Sequence, residues 1–236
     1  MNITTRQFHV SAMRPEDFPR DARPHVALMG RSNVGKSSLL NRLLGERGLA
    51  RTSKAPGRTR ALNFFLVNER VYFVDLPGYG YARVPDRVRE EWKDLVEAYL
   101  AGPGRPDLAL QLLDARHEPT ELDRELLEWL ETRGVRHEIV LTKVDKLSRS
   151  DKTRTLTRAA RWIGLPPGRH PLAVSAVTGD GIPALWRVID EVCAGRPATR
   201  ESAAPPGGGA SPKTPRATRS GETGVRAGFQ GGRNTL

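Results

Sequence analysis

The octapeptide Gly30-Arg31-Ser32-Asn33-Val34-Gly35-Lys36-Ser37 constrains the fold of this 236-residue chain more than any other feature. It follows the apolar run Val26-Ala27-Leu28-Met29 and leads into Ser38-Leu39-Leu40-Asn41-Arg42-Leu43-Leu44, which is apolar at helical spacing. Strand, glycine loop and helix in that order form the setting of a phosphate-binding loop. The glycines let the backbone curl so that successive N–H groups point inward at phosphate oxygens. The helix that starts there adds its positive dipole end. Lys36 can reach the β- and γ-phosphates, and the Ser37 hydroxyl can take one site on a Mg²⁺ ion.

Many ATPases carry such a loop, so the base must be read elsewhere. Thr142-Lys143-Val144-Asp145 follows a second apolar run, Ile139-Val140-Leu141. A carboxylate at Asp145 can accept from both N1–H and the exocyclic amino group of guanine. Adenine offers neither donor there, and the carboxylate would be left desolvated and unpaired. The aliphatic stem of Lys143 can lie along the flat base.

Three further segments fall in the order a GTPase needs. Asp75-Leu76-Pro77-Gly78 closes the apolar strand Val71-Tyr72-Phe73-Val74. Asp75 there can hold Mg²⁺ through water, and the Gly78 amide can sense a γ-phosphate. Between the first helix and the next strand lies Thr52-Ser53-Lys54-Ala55-Pro56-Gly57-Arg58-Thr59. A loop threonine in this place can complete the Mg²⁺ shell and touch the γ-phosphate, which is how nucleotide state orders a switch segment. Thr52 and Ser53 compete for the role, and Thr59 is favoured by its place beside the strand Asn63–Val67; nucleotide contact is assigned to Gly57, Arg58, Thr59, Arg60 and Ala61. Finally, the backbone of Val174-Ser175-Ala176 can meet the guanine O6. The metal ligands expected are Ser37, Thr59 and Asp75, and the catalytic groups Lys36, Thr59 and Asn33.

Five motifs in this order resemble a translation-factor-type GTPase. Gly-Arg-Ser-Asn-Val-Gly-Lys-Ser-Ser-Leu at 30–39, Thr-Ser-Lys-Ala-Pro-Gly-Arg-Thr at 52–59, Asp-Leu-Pro-Gly-Tyr-Gly-Tyr-Ala at 75–82 and Asp-Ala-Arg-His-Glu-Pro-Thr-Glu-Leu-Asp at 114–123 together resemble the bacterial EngB family. The resemblance runs from about residue 22 to about 195. It implies a cytoplasmic GTPase in assembly of the large ribosomal subunit, with links to cell division and septation. Two features depart from the family's pattern: a long tail, and Arg60 where glutamine is frequent. Ras-like GTPases orient the attacking water with a glutamine after the switch-II glycine; here that position is Tyr79, so slow intrinsic turnover is expected. Asn33 with Tyr79 resembles the GTPases that recruit K⁺ beside the phosphates, which makes K⁺ a second candidate ion after Mg²⁺. Arg58 and Arg60 could stabilise charge in cis, although solvent or RNA is the more natural partner for switch-loop arginines. The alternative reading is a metabolic P-loop kinase, which would need a lid and an acceptor pocket; no arginine-rich lid insertion is found.

The formal charge of +11 favours an anionic partner larger than GTP, most simply ribosomal RNA or a pre-50S particle. A single cysteine, Cys193, excludes an internal disulfide and a cysteine-built metal site. No apolar run approaches membrane-spanning length, so a cytoplasmic monomer with no membrane partner is expected. Strands are predicted at 25–29, 63–67, 71–75, 108–113, 137–141 and 172–175, and helices at 36–44, 86–100, 119–132, 150–162 and 183–193. Asn68-Glu69-Arg70 is short enough for a hairpin, and the other strands are separated by helical patterns. The fold class is therefore α/β: a mixed, mostly parallel six-stranded sheet with helices on both faces, carrying its site at the carboxyl ends of the strands. Residues 1–21 form an N-terminal extension with Phe8, Val10 and Phe18 as candidate docking points, and the EngB resemblance implies that they pack on the domain edge. Residues 22–196 form the GTPase domain, and 197–236 a disordered basic tail whose composition cannot offset ordering entropy.

Overall fold

The computed structural model describes residues 2–50, 61–79, 86–102, 104–165, 168 and 170–194, with only the backbone described for 86–89. The roles expected of Thr52, Ser53, Gly57, Arg58, Thr59, Arg60 and the tail at 197–236 fall on residues outside the described ones. The strands are β1 (Arg6–Ala12), β2 (His25–Gly30), β3 (Leu62–Val67), β4 (Val71–Asp75), β5 (Leu108–Asp114), β6 (His137–Thr142) and β7 (Leu172–Ala173). The helices are α1 (Lys36–Leu44), α2 (Asp86–Ala101), α3 (Glu121–Thr132), α4 (Arg149–Trp162) and α5 (Ile182–Ala194). The sheet order is β1-β3-β4-β2-β5-β6-β7, and β3 alone runs against its neighbours.

The central strand β2 is buried along its whole length, which is why its sequence is a continuous apolar run rather than an alternation. Its side chains part by twos: Val26 and Leu28 join the cluster that includes α1 and α5, whereas Ala27 and Met29 join the one that includes α2 and α3. Phe64, Phe73, Leu110 and Leu112 are fully buried around it. Each such side chain contributes about 1.5–3 kcal/mol relative to exposure. Trp186 packs on the first cluster, edge-on to Phe73 at 5.8 Å, as expected of a packing residue. Burial pushes the half-buried Cys193 thiol up to about 11, with Asp190 adding to the shift, which leaves it an unreactive thiol at neutral pH.

The six-strand expectation is corrected to seven strands among the described residues. Residues Arg6–Ala12, read from sequence as part of an extension, form the edge strand β1, antiparallel to β3 with a break in register between Phe8 and Val10. Phe8, Val10 and Ala12 do alternate with Gln7, His9 and Ser11, but most of β1 is solvent-exposed and its register breaks between Phe8 and Val10, so the short pattern reads as a surface segment. Its anchor is the β3–β4 turn. Asn68 and Glu69 adopt left-handed φ of 52° and 50°, as primed hairpin turns require. The Asn68 side chain then accepts from the Thr4 and Thr5 amides and donates to the Asn2 carbonyl.

Candidate guanine-nucleotide site

The functional motifs among the described residues fall at the carboxyl end of the parallel strands. Gly30 ends β2 with φ 148°, and a Cβ there would stand 2.6 Å from the Leu112 carbonyl, so the loop can pass β5 only at a glycine. Gly35, with φ 111°, opens α1 at Lys36. Lys36 is buried and donates to the Gly30 and Arg31 carbonyls at 2.9 and 3.2 Å, which fixes its ammonium inside the loop. Burial lowers its pKa, an effect opposed by the charge of Asp75. Arg31 and Asn33 are exposed, Ser32 is half-buried and Val34 is buried beneath the loop.

Asp75 ends β4, and its Oδ2 accepts from the Ser37 hydroxyl at 3.1 Å. Its Oδ1 is buried without a hydrogen-bond partner. Burial raises its pKa, partly countered by Lys36 and Ser37. A buried, unsatisfied carboxylate oxygen beside a hydroxyl at the mouth of a phosphate loop is a donor set that suits a hard divalent cation, so Ser37 and Asp75 fit Mg²⁺. Leu76 and Pro77 are buried, and Ala61 is buried just before β3.

The base-reading tetrad is tied directly to the phosphate loop. The Thr142 hydroxyl donates to the Val34 carbonyl at 2.7 Å. Lys143, with left-handed φ of 60°, donates through Nζ to the Asn33 carbonyl at 2.6 Å and to Asp114 at 2.9 Å. Burial alone would raise the Asp114 pKa, but bonds from Arg116 and Lys143 outweigh it and hold the carboxyl well below the usual range. Asp145 accepts from the fully buried Ser175 hydroxyl at 2.7 Å. The Ser175 oxygen in turn accepts from the Val177 and Thr178 amides. The bond from Ser175, followed by that from Lys146, lowers the Asp145 pKa and keeps it an acceptor at neutral pH. Val144 and Val174 are buried and Ala176 is half-buried around this pair.

The described motifs thus converge on one end of the sheet. Sequence reasoning treated the Ser175 segment as a backbone contact and missed its side-chain bond to Asp145. Asp123 entered only as the last residue of the 114–123 stretch, with no role of its own. In the structure Asp123 accepts from the Thr120 amide and hydroxyl at 2.7 Å each and from the Tyr79 hydroxyl at 2.7 Å. The spacing Thr120-x-x-Asp123 is a capping-box signature that could have flagged the first half of this role.

Comparison with known proteins agrees with this geometry. Residues 25–143 match a family model described as 50S ribosome-binding GTPase. "Probable GTP-binding protein EngB" of Geobacter sulfurreducens is 41% identical over 194 residues, covering 82% of this chain and 94% of that protein. The chain belongs to the EngB family of GTP-binding proteins. The protein of the same name from Solibacter usitatus is 45% identical over 189 residues, or 80% of this chain and 96% of that one. A crystal structure of a probable GTP-binding protein engB superposes with a TM-score of 0.60 at 25% identity, covering 73% of this chain and 99% of the other. The EngB assignment makes this a P-loop GTPase that binds guanine nucleotides. Among the described residues, no helix is long and apolar enough to cross a membrane.

Proposed function

We propose that this EngB-family chain is a slow GTPase switch that acts in assembly of the large (50S) ribosomal subunit, in the cytoplasm and as a monomer, and that normal cell division and septation depend on it. The observation that carries the nucleotide half is Asp145, ionised and aimed by Ser175, on the strand end next to the phosphate loop. The ribosomal half is supported by the description of the matching family model and by a net charge of +11. Helix α4 adds Arg149, Arg154, Arg158 and Arg161 as exposed cations along its surface.

GTP hydrolysis needs positioning and charge stabilisation more than covalent chemistry. The loop amides and Lys36 hold the phosphates, and Thr59 and the segment Gly57–Ala61 would contribute nucleotide contacts. Mg²⁺, held by Ser37, Asp75 and Thr59, would supply neutralisation of the charge shared by the β- and γ-phosphates. The Tyr79 hydroxyl is committed to Asp123, and no amide side chain stands at this position to orient water, which supports slow turnover. Asn33 projects an exposed side chain from the loop with its backbone in the left-handed region, φ 62°, which suits it to face a monovalent ion at the phosphates.

Two outcomes are expected. Single-turnover hydrolysis is faster in K⁺ than in Na⁺ at equal ionic strength, and Asn33→Ala removes the difference; identical wild-type rates in the two salts would rule out the ion. Binding to ribosomal RNA or pre-50S particles, measured in GTP analogue and in GDP, weakens steeply with salt, with a log–log slope of about −0.7 to −0.9 per phosphate neutralised. Removing residues 197–236 should flatten that slope without touching nucleotide affinity if the tail is an RNA-contacting arm. Salt-independent or undetectable particle binding would refute the ribosomal half.

A further inference from the structure

The start of switch II lies against the phosphate loop in an arrangement the EngB assignment does not itself explain. Tyr79 extends the sheet beyond β4 by bridging to Arg31. Its carbonyl accepts from the Ser32 amide at 3.1 Å. The Ser32 hydroxyl points at the Gly78 and Tyr79 carbonyls, 3.4 Å from each. Gly78 is thereby pressed onto the loop: a Cβ on it would stand 2.8 Å from the Ser32 nitrogen, 2.8 Å from Ser32 Oγ and 2.9 Å from Lys36 Nζ. Lys36 Nζ and the amide and hydroxyl of Ser32 therefore all border that point, the two Ser32 groups facing the Gly78 and Tyr79 carbonyls. With Gly78 withdrawn, an ammonium, an amide and a hydroxyl would be released to a phosphate oxygen. The point is a bond length from the Gly78 Cα, so a phosphate oxygen cannot occupy it while Gly78 is there.

What keeps Gly78 in place is the next residue. The half-buried Tyr79 side chain reaches α3 and donates to Asp123 Oδ1 at 2.7 Å. Asp123 is 2% exposed, and its other oxygen caps α3 through Thr120. Its carbonyl accepts from Gln111 on β5 at 2.6 Å, and Gln111 is fully buried. The carboxylate therefore cannot swing away to follow the tyrosine, and a charged acceptor makes the bond a strong one. Burial, reinforced by the Asp123 charge, raises the Tyr79 pKa, so the hydroxyl stays a donor at physiological pH.

We propose that Tyr79 and Asp123 are the residues that set discrimination between GDP and GTP. The bond between them holds Gly78 over the converging donors of Lys36 and Ser32, and a γ-phosphate enters only by displacing it. GDP, which has no γ-phosphate, leaves the bond intact. The inference rests on the guanine-nucleotide reading of the site. A ligand shifts such an equilibrium only by its differential affinity for the two arrangements, so the strength of this bond appears as weaker binding of GTP relative to GDP.

The test measures equilibrium affinities of the full chain, in Mg²⁺, for GDP and for the βγ-imido analogue of GTP, in wild type, Tyr79→Phe and Asp123→Asn. Tyr79→Phe keeps the ring and removes only the donor. It is expected to raise analogue affinity relative to GDP on the order of tenfold, equivalent to about 1.4 kcal/mol. Asp123→Asn, which retains an acceptor without the charge, should shift the ratio in the same direction by less. A general weakening of the fold lowers both affinities and cancels in the ratio. A ratio unchanged within twofold in both variants, or one that moves toward GDP, overturns the proposal. Failure of the wild type to bind GDP would instead refute the nucleotide reading beneath it.

Discussion

Asp145→Asn is expected to lower affinity for GTP and GDP by on the order of a hundredfold or more, and to improve binding of xanthine nucleotides. Guanine presents two donors to the carboxylate, and the asparagine amide must turn its own donors toward one of them. Xanthine carries a 2-keto group where guanine has an amine, so it needs a donor at the place where guanine needs an acceptor. The structure sharpens this expectation, because Ser175 fixes one carboxylate oxygen at 2.7 Å and the side chain is not free to re-aim. Competition between GTP and xanthosine triphosphate for the purified variant reads the result directly. Equal guanine affinity in variant and wild type would remove Asp145 from the base pocket.

The second large effect is expected at Asp75. Asp75→Ala should reduce Mg²⁺-supported GTP hydrolysis by about 10²–10³-fold, while GDP affinity measured in EDTA stays close to wild type. The reasoning is local. Asp75 carries an unpaired buried oxygen and accepts from Ser37, so its removal takes away one anion and the orientation of a hydroxyl together. A Mg²⁺ titration of hydrolysis that matches the wild type would show that the ion is held elsewhere.

The central fold was legible because its residues obey local rules. The run Val26–Met29 is apolar without alternation, as a strand covered on both faces must be, and α3 opens on an acidic first turn after Thr120. The phosphate loop and the Asp145 tetrad were legible because their chemistry needs particular side chains at fixed spacing. Three things were hidden for physical reasons. β1 is exposed along most of its length, and its one short alternation of Phe8, Val10 and Ala12 is interrupted by a break in register, so little of it reads as a core strand. The Ser175–Asp145 bond joins residues thirty positions apart, and serine in a strand-end loop has many uses. The Tyr79–Asp123 bond spans 44 positions and depends on how two helix and strand ends meet. Local sequence patterns do not encode such meetings; packing does.

The exposure that concealed β1 has a consequence for how the chain is made. Arg6 pairs with Val67, so β1 waits for some sixty further residues before its partner exists. A growing chain emerges at about 5–20 residues per second, which leaves this segment without a sheet for several seconds. A strand with a greasy face would spend that interval seeking other edges to pair with. With Phe8 and Val10 as its only large apolar side chains among Arg6, Gln7, His9 and Ser11, β1 offers little such surface, and Asn68, at the tip of the hairpin it must join, supplies the acceptor for the Thr4 and Thr5 amides when that hairpin appears.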